Sequence, residues 1–140
     1  MCMIRIEPYS LWLGHAGDCR ETAKVLDAGV QAVVQLAIEE SPAQFPRDII
    51  FIRIPLLDGS DNSRDALRLA INVVGHLLSA GVPTLLCCSA GMSRSPAVAA
   101  CAIARIEKRT PLDALDQIRN HIGTDISPGL WRELIACSSE

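Results

Sequence analysis

Apolar positions in this chain fall into short dense runs separated by turn formers, and the period of each run predicts its element. Residues 3–6 and 10–13 read as short strands, with Pro8 and Ser10 marking a turn. Asp18 marks a helix start, and apolar residues at 23, 25, 26 and 28–30 predict a short amphipathic helix that Gly29 closes. Ala32 to Ala37 is then a buried strand, 41–46 a loop and 49–55 another strand. Ser63 caps a long helix reaching about residue 80 and ended by Gly81, with apolar positions at 66, 67, 69, 70, 73, 74, 77 and 78 facing inward.

Val82 to Cys88 is an apolar run that predicts a central strand buried on both sides. It passes directly into Ser89-Ala-Gly-Met-Ser-Arg94 and then a helix from about Ser95 to Lys108, where Pro96 is tolerated because it falls in the first turn. Pro111 opens a helix to about residue 121, and Pro128 opens a last one through Trp131 and Leu134. Strands alternate with helices before helices alone remain. The fold class expected is α/β, one compact domain over residues 1–140, with a mostly parallel central sheet flanked by helices.

An apolar fraction of 49% in 140 residues is ample for one core. The net charge is −3 and the 13 basic residues are scattered, so no nucleic-acid or membrane-surface stripe is present and neither partner is expected. Apolar stretches are far shorter than the roughly 20 residues that cross a bilayer. The first eight residues lack the pattern of a secretory leader, so a cytoplasmic location is the expectation. The six cysteines, at 2, 19, 87, 88, 101 and 137, form no disulfide framework and no zinc-knuckle spacing, and His15, His76 and His121 do not cluster with them. Reduced thiols and no metal site follow, and Cys2, Cys19 and Cys137 have no assignable role.

The chemistry concentrates at 88–95. A loop between a strand and a helix N-terminus turns its backbone N–H groups and the helix dipole toward an anion. Residues Cys88, Ser89, Ala90, Gly91, Met92, Ser93 and Arg94 occupy such a position, with Gly91 permitting the tight backbone. Arg94 offers a planar fork for two phosphate oxygens, and Cys88 enters the same hole as a thiolate nucleophile. A Cys-x5-Arg spacing arises by chance about half a time in a chain of this composition, so the context carries the assignment: a buried strand before it, a glycine within it and a helix after it. The leaving oxygen needs a proton donor, for which Asp58 is the candidate and Asp61 its rival; both sit in a turn-rich loop after the strand at 49–55. Ser95 places a hydroxyl where it can donate to the departing thiolate, although a serine that merely starts a helix looks the same.

The run Cys88-Ser-Ala-Gly-Met-Ser-Arg-Ser-Pro strongly resembles the signature loop of the dual-specificity subgroup of protein tyrosine phosphatases. Leu11-Trp-Leu-Gly-His-Ala, Gly29-Val-Gln-Ala-Val-Val, Arg53-Ile-Pro-Leu-Leu-Asp58 and Pro128-Gly-Leu-Trp-Arg-Glu-Leu also look like that family's successive landmarks, so the likeness spans nearly the whole chain. It implies a phosphatase in which Cys88 attacks phosphorus, Arg94 and the amides of 89–94 bind phosphate, and Asp58 protonates the leaving group and then activates water. No metal or cofactor is implied. The implied partner is a phosphorylated protein substrate, because the loop lacks the extra Lys or His of relatives that prefer inositol phospholipids, and the short chain implies a shallow site that accepts phosphotyrosine and also phosphoserine or phosphothreonine. One departure stands out: the family usually has His before the nucleophile, and this chain has Cys87, whose side chain alternates away from the anion hole. That departure motivates a second reading, a non-catalytic module that binds phosphoproteins. A third, a rhodanese-like sulfurtransferase, has no use for Asp58.

Overall fold

The computed structural model of the protein describes residues 3–138; Cys2 lies outside the described residues. The sheet consists of β1 (Ile4–Arg5), β2 (Leu11–Gly14), β3 (Ala32–Ala37), β4 (Ile50–Leu56) and β5 (Thr84–Cys87), in the order β1-β2-β5-β3-β4. β2, β5, β3 and β4 run parallel, and only β1 is antiparallel, against β2. The helices are α1 (Ala16–Arg20), α2 (Thr22–Asp27), α3 (Arg64–Ser79), α4 (Arg94–Glu107), α5 (Pro111–Arg119) and α6 (Pro128–Ser138). The expected α/β architecture is therefore present, with one strand in each of the five segments read as strands. No helix among the described residues is long and apolar enough to cross a membrane.

Covered on both faces, β3 and β5 are buried at every residue, which explains their nearly unbroken apolar sequence. The polar exception in β3 is satisfied locally: Gln35 donates to the Ser41 carbonyl at 3.0 Å and accepts from Ala43 N at 3.0 Å, which fixes the loop that follows the strand. Pro55 has no N–H to give a ladder, and it is accommodated because β4 is an edge strand. Successive residues of β5 face opposite layers. Leu86 joins the large core, which includes α3, α4, α5 and α6, whereas Leu85 and Cys87 join the smaller cluster with Cys19 and Val25 from α1 and α2.

Two expectations need correction. The first helix begins at Ala16 instead of Asp18, because His15 acts as its cap: Nδ1 accepts from Asp18 N at 3.2 Å while Oδ2 of Asp18 accepts from His15 N at 2.9 Å. On α3, Ser63 caps as predicted, but the fully buried stripe is Leu67, Ala70, Ile71, Val74, Gly75 and Leu77. Leu69 is 52% exposed, since a residue two positions from Leu67 points to the far side of a helix. Replacing Ile71 by Ala is expected to cost about 3 kcal/mol in urea denaturation, and replacing Leu69 by Ala about 0.5 kcal/mol or less; equal losses would contradict this assignment of faces.

Candidate active site

Parallel strands deliver their carboxyl ends to one edge of the sheet, where open α/β folds form ligand crevices. Cys88 directly follows β5, Asp58 lies two residues beyond β4, and a residue the sequence reading missed, Glu39, lies two beyond β3. These three side chains and Arg94 line one cleft of about 210 Å³, together with Ser89, Met92 and Ser93 of the loop and Asp125. Asp61 does not line it; that residue takes a left-handed φ of 77° and its N–H donates to Glu133 Oε2 at 3.2 Å.

The loop geometry follows from one glycine and one helix start. Gly91 has φ +77°, and a Cβ there would sit 3.0 Å from the Gly14 carbonyl, so the loop can fold against the end of β2 only with glycine at this position. The N–H groups of residues 89–94 donate to no protein acceptor among the described residues, and those of the first turn of α4 are orphaned by helix geometry. These amides can serve an anion. Ser95, fully buried, has a hydroxyl without a protein partner.

Arg94 is 2% exposed, so its charge must be met inside the protein. Nη1 and Nη2 grip the two oxygens of Glu39, each at 2.6 Å, and Nη1 also donates to the Leu56 carbonyl at 2.9 Å. This fork-to-fork pair holds the Glu39 carboxyl down to about 2 and raises the guanidinium further above its ordinary value. Nε remains buried without a partner, so one edge of the fork is committed to Glu39 and the other is unassigned. Neighbouring Glu40 accepts from Ser89 Oγ at 2.7 Å and pairs with Arg20 at 3.2 Å, while Arg53 holds the carbonyls of Ile38 and Glu40 at 3.2 Å each. The loop after β3 is thereby latched to the loop after β5.

Asp58 is also held. Its Oδ1 accepts from Ser93 Oγ at 2.5 Å and from Ser127 Oγ at 2.8 Å. Ser93, expected only to offer its amide, thus commits its side chain to Asp58, and Ser127 was not anticipated at all. Nothing in local sequence marks either contact. Both arise because the segment before α6 returns to the cleft, with Asp125 N donating to the Met92 carbonyl at 2.8 Å.

Cys87 faces away from the cleft, as strand alternation predicted, and Cys88 faces it. The neighbouring Cys19 thiol together with burial pushes the Cys87 thiol far up, and its Sγ donates to the Val34 carbonyl at 3.8 Å. Burial likewise pushes Cys101 up to about 12, as befits a core thiol. All five described cysteines are free. His121 accepts from Glu7 N at 3.3 Å and pairs with the Gln117 carbonyl at 3.1 Å, a structural role like that of His15.

Residues 15–108 match the family model described as a polymorphic toxin system DSP-PTPase phosphatase, and the chain belongs to that family. Cys88, Arg94, Asp58 and Ser95 all fall inside the matched segment. Its fold is that of the dual-specificity phosphatases. The chain superposes on human DUSP28 with a TM-score of 0.84 at 23% identity, covering 97% of this chain and 95% of that one. Human tyrosine phosphatase-like serine/threonine/tyrosine-interacting protein gives 0.83 at 18% identity over 99% and 96% of the two chains. A leucine rich repeat and phosphatase domain containing protein from Entamoeba histolytica gives 0.78 at 12% identity over 99% and 91%. No curated protein sequence matches the chain.

The depressed Glu39 carboxyl makes stability depend on pH. Its folded value lies below the ordinary 4.5, so the pair contributes fully above 4.5 and its contribution is lost as pH falls toward 2. The Glu39 side chain is half exposed, so the contribution is screened to about 1 kcal/mol. Glu39→Gln is expected to lower the urea midpoint near neutral pH and to narrow its gap to the native chain as pH falls through this window. A constant gap would contradict the assignment.

Proposed function

We propose that the chain is a cysteine-dependent phosphomonoester hydrolase acting on phosphotyrosine, and also on phosphoserine or phosphothreonine, in proteins. The observation that carries this reading is the cleft itself: a thiol, a buried guanidinium with its Nε edge unpartnered, and a carboxyl group meet beside a run of free amides. The amides of Ser89, Ala90, Gly91, Met92, Ser93 and Arg94 and the Nε edge of Arg94 would receive the phosphate oxygens. The Cys88 thiolate attacks phosphorus, so an S–P bond forms as the P–O bond breaks, and Asp58 gives its proton to the leaving oxygen. Water then attacks the phosphocysteine, returning a proton to Asp58 and releasing the thiolate, toward which the Ser95 hydroxyl is free to donate. Neither step calls for a metal or cofactor. The chemistry needs a reduced thiol, in keeping with a cytoplasmic setting.

The surroundings favour a monophosphate on a flat apolar group. Met92 lines the cleft and is 41% exposed, offering a wall for an aryl ring. Arg94 is the one cation lining it among the described residues, facing the carboxylates of Glu39, Asp58 and Asp125. That balance disfavours polyphosphorylated lipid headgroups. Cys87 in place of the usual histidine favours a second reading, a phosphoprotein-binding module without turnover.

Hydrolysis of para-nitrophenyl phosphate by the reduced protein in EDTA separates the two. Turnover is expected, abolished in Cys88→Ser and reduced about a hundredfold or more in Asp58→Asn, with loss of the limb of the pH–rate profile set by the acid. Vanadate binding without turnover would establish the binding module instead.

A further inference from the structure

Ser127 stands at the start of α6, where its carbonyl accepts from Trp131 N at 3.0 Å. A serine at a helix start normally turns its hydroxyl to an amide of the first turn, a bond that contributes about 1 kcal/mol. Here the hydroxyl instead reaches across to Asp58, at 2.8 Å from Oδ1 and 3.2 Å from the carbonyl oxygen. The Ser127 N–H in turn donates to Ser93 Oγ at 3.1 Å, which commits the Ser93 hydroxyl proton to Oδ1 at 2.5 Å. The result is a closed clamp with a defined direction: amide to Ser93, Ser93 to Asp58, and Ser127 to the same carboxyl oxygen. Oδ2 accepts from no protein donor among the described residues.

The clamp rests on a fitted interface. A Cβ at Gly129 would lie 3.1 Å from Ser60 Cβ, so the first turn of α6 is seated directly on the Asp58 loop. Within that loop, Asn62 Oδ1 accepts from Leu57 N at 2.7 Å and Asn62 Nδ2 donates to the Leu57 carbonyl at 3.0 Å, closing the backbone around Asp58.

We propose that Ser127 is a positioning residue for Asp58: with Ser93 it fixes the carboxyl group so that Oδ1 faces two hydroxyl donors and Oδ2 carries the transferable proton. This rests on the phosphatase reading. As the P–O bond breaks, its electron pair passes to the leaving oxygen, which takes the Oδ2 proton, and the charge left on the carboxylate is met by hydroxyls already in place. The clamp therefore matters most when the leaving oxygen is basic and needs its proton in the transition state.

The test compares kcat/KM on phenyl phosphate, a poor leaving group, with that on para-nitrophenyl phosphate, a good one, in the native chain, Asp58→Asn, Ser127→Ala, Ser127→Gly and Ser127→Thr. Glycine is tolerated at helix starts, so Ser127→Gly removes the hydroxyl with little cost to α6. Ser127→Ala and Ser127→Gly are expected to lose about tenfold on phenyl phosphate and about twofold or less on para-nitrophenyl phosphate, a weaker copy of the Asp58→Asn pattern, and Ser127→Thr to restore both rates. Equal losses on both esters, or none, while Asp58→Asn still discriminates between them would overturn the clamp and leave the phosphatase reading standing. A native chain that turns over neither ester would overturn both.

Discussion

A guanidinium withdrawn from water must have its charge answered by the protein, and the functional edge of this molecule is arranged around that requirement at Arg94. The end of β3 supplies the Glu39 carboxylate, the end of β4 supplies the Leu56 carbonyl, and the helix after β5 supplies the arginine itself. One cation thus fixes the relative placement of three strand ends. Because the neutralising contacts use the two terminal nitrogens, the remaining edge is preorganised without being consumed. The latches on the loop after β3, from Gln35, Arg53 and Arg20, keep the counter-charge where the arginine requires it.

Much of this was legible in sequence because it is local. Cys88, Gly91 and Arg94 lie within seven residues, and the strand before them and helix after them have clear periodicity. Asp58 could be proposed from its place beyond a strand end, but that Asp58 lines the cleft and Asp61 does not depends on the loop's path. Glu39, the side chain of Ser93 and Ser127 were hidden for a different reason. Their contacts depend on β5 lying between β2 and β3 and on α6 returning to the same edge, and strand order is not written in any short window of sequence. The misplaced face of α3 has a simpler cause: Leu69 is apolar but stands on the solvent side, and a list of apolar positions does not by itself give their angle around the helix.

The alternation of β5 divides two thiols that are adjacent in the chain. Cys88 opens to the cleft, while Cys87 is bound into the opposite layer with Cys19. Cys87 therefore belongs to the packing beneath the loop, while Cys88 shares the cleft with Arg94. The acidic neighbours Glu39 and Asp58 are tolerable there because each is already engaged, one by the guanidinium and the other by two hydroxyls.

The borders of the sheet carry a consequence for assembly. One border strand, β1, is only two residues long, and the other, β4, lacks a backbone donor at Pro55. Both features work against prolonging this sheet with a strand from a second chain or an extended peptide. The same features oppose the edge-to-edge joining of crowded copies that seeds aggregation.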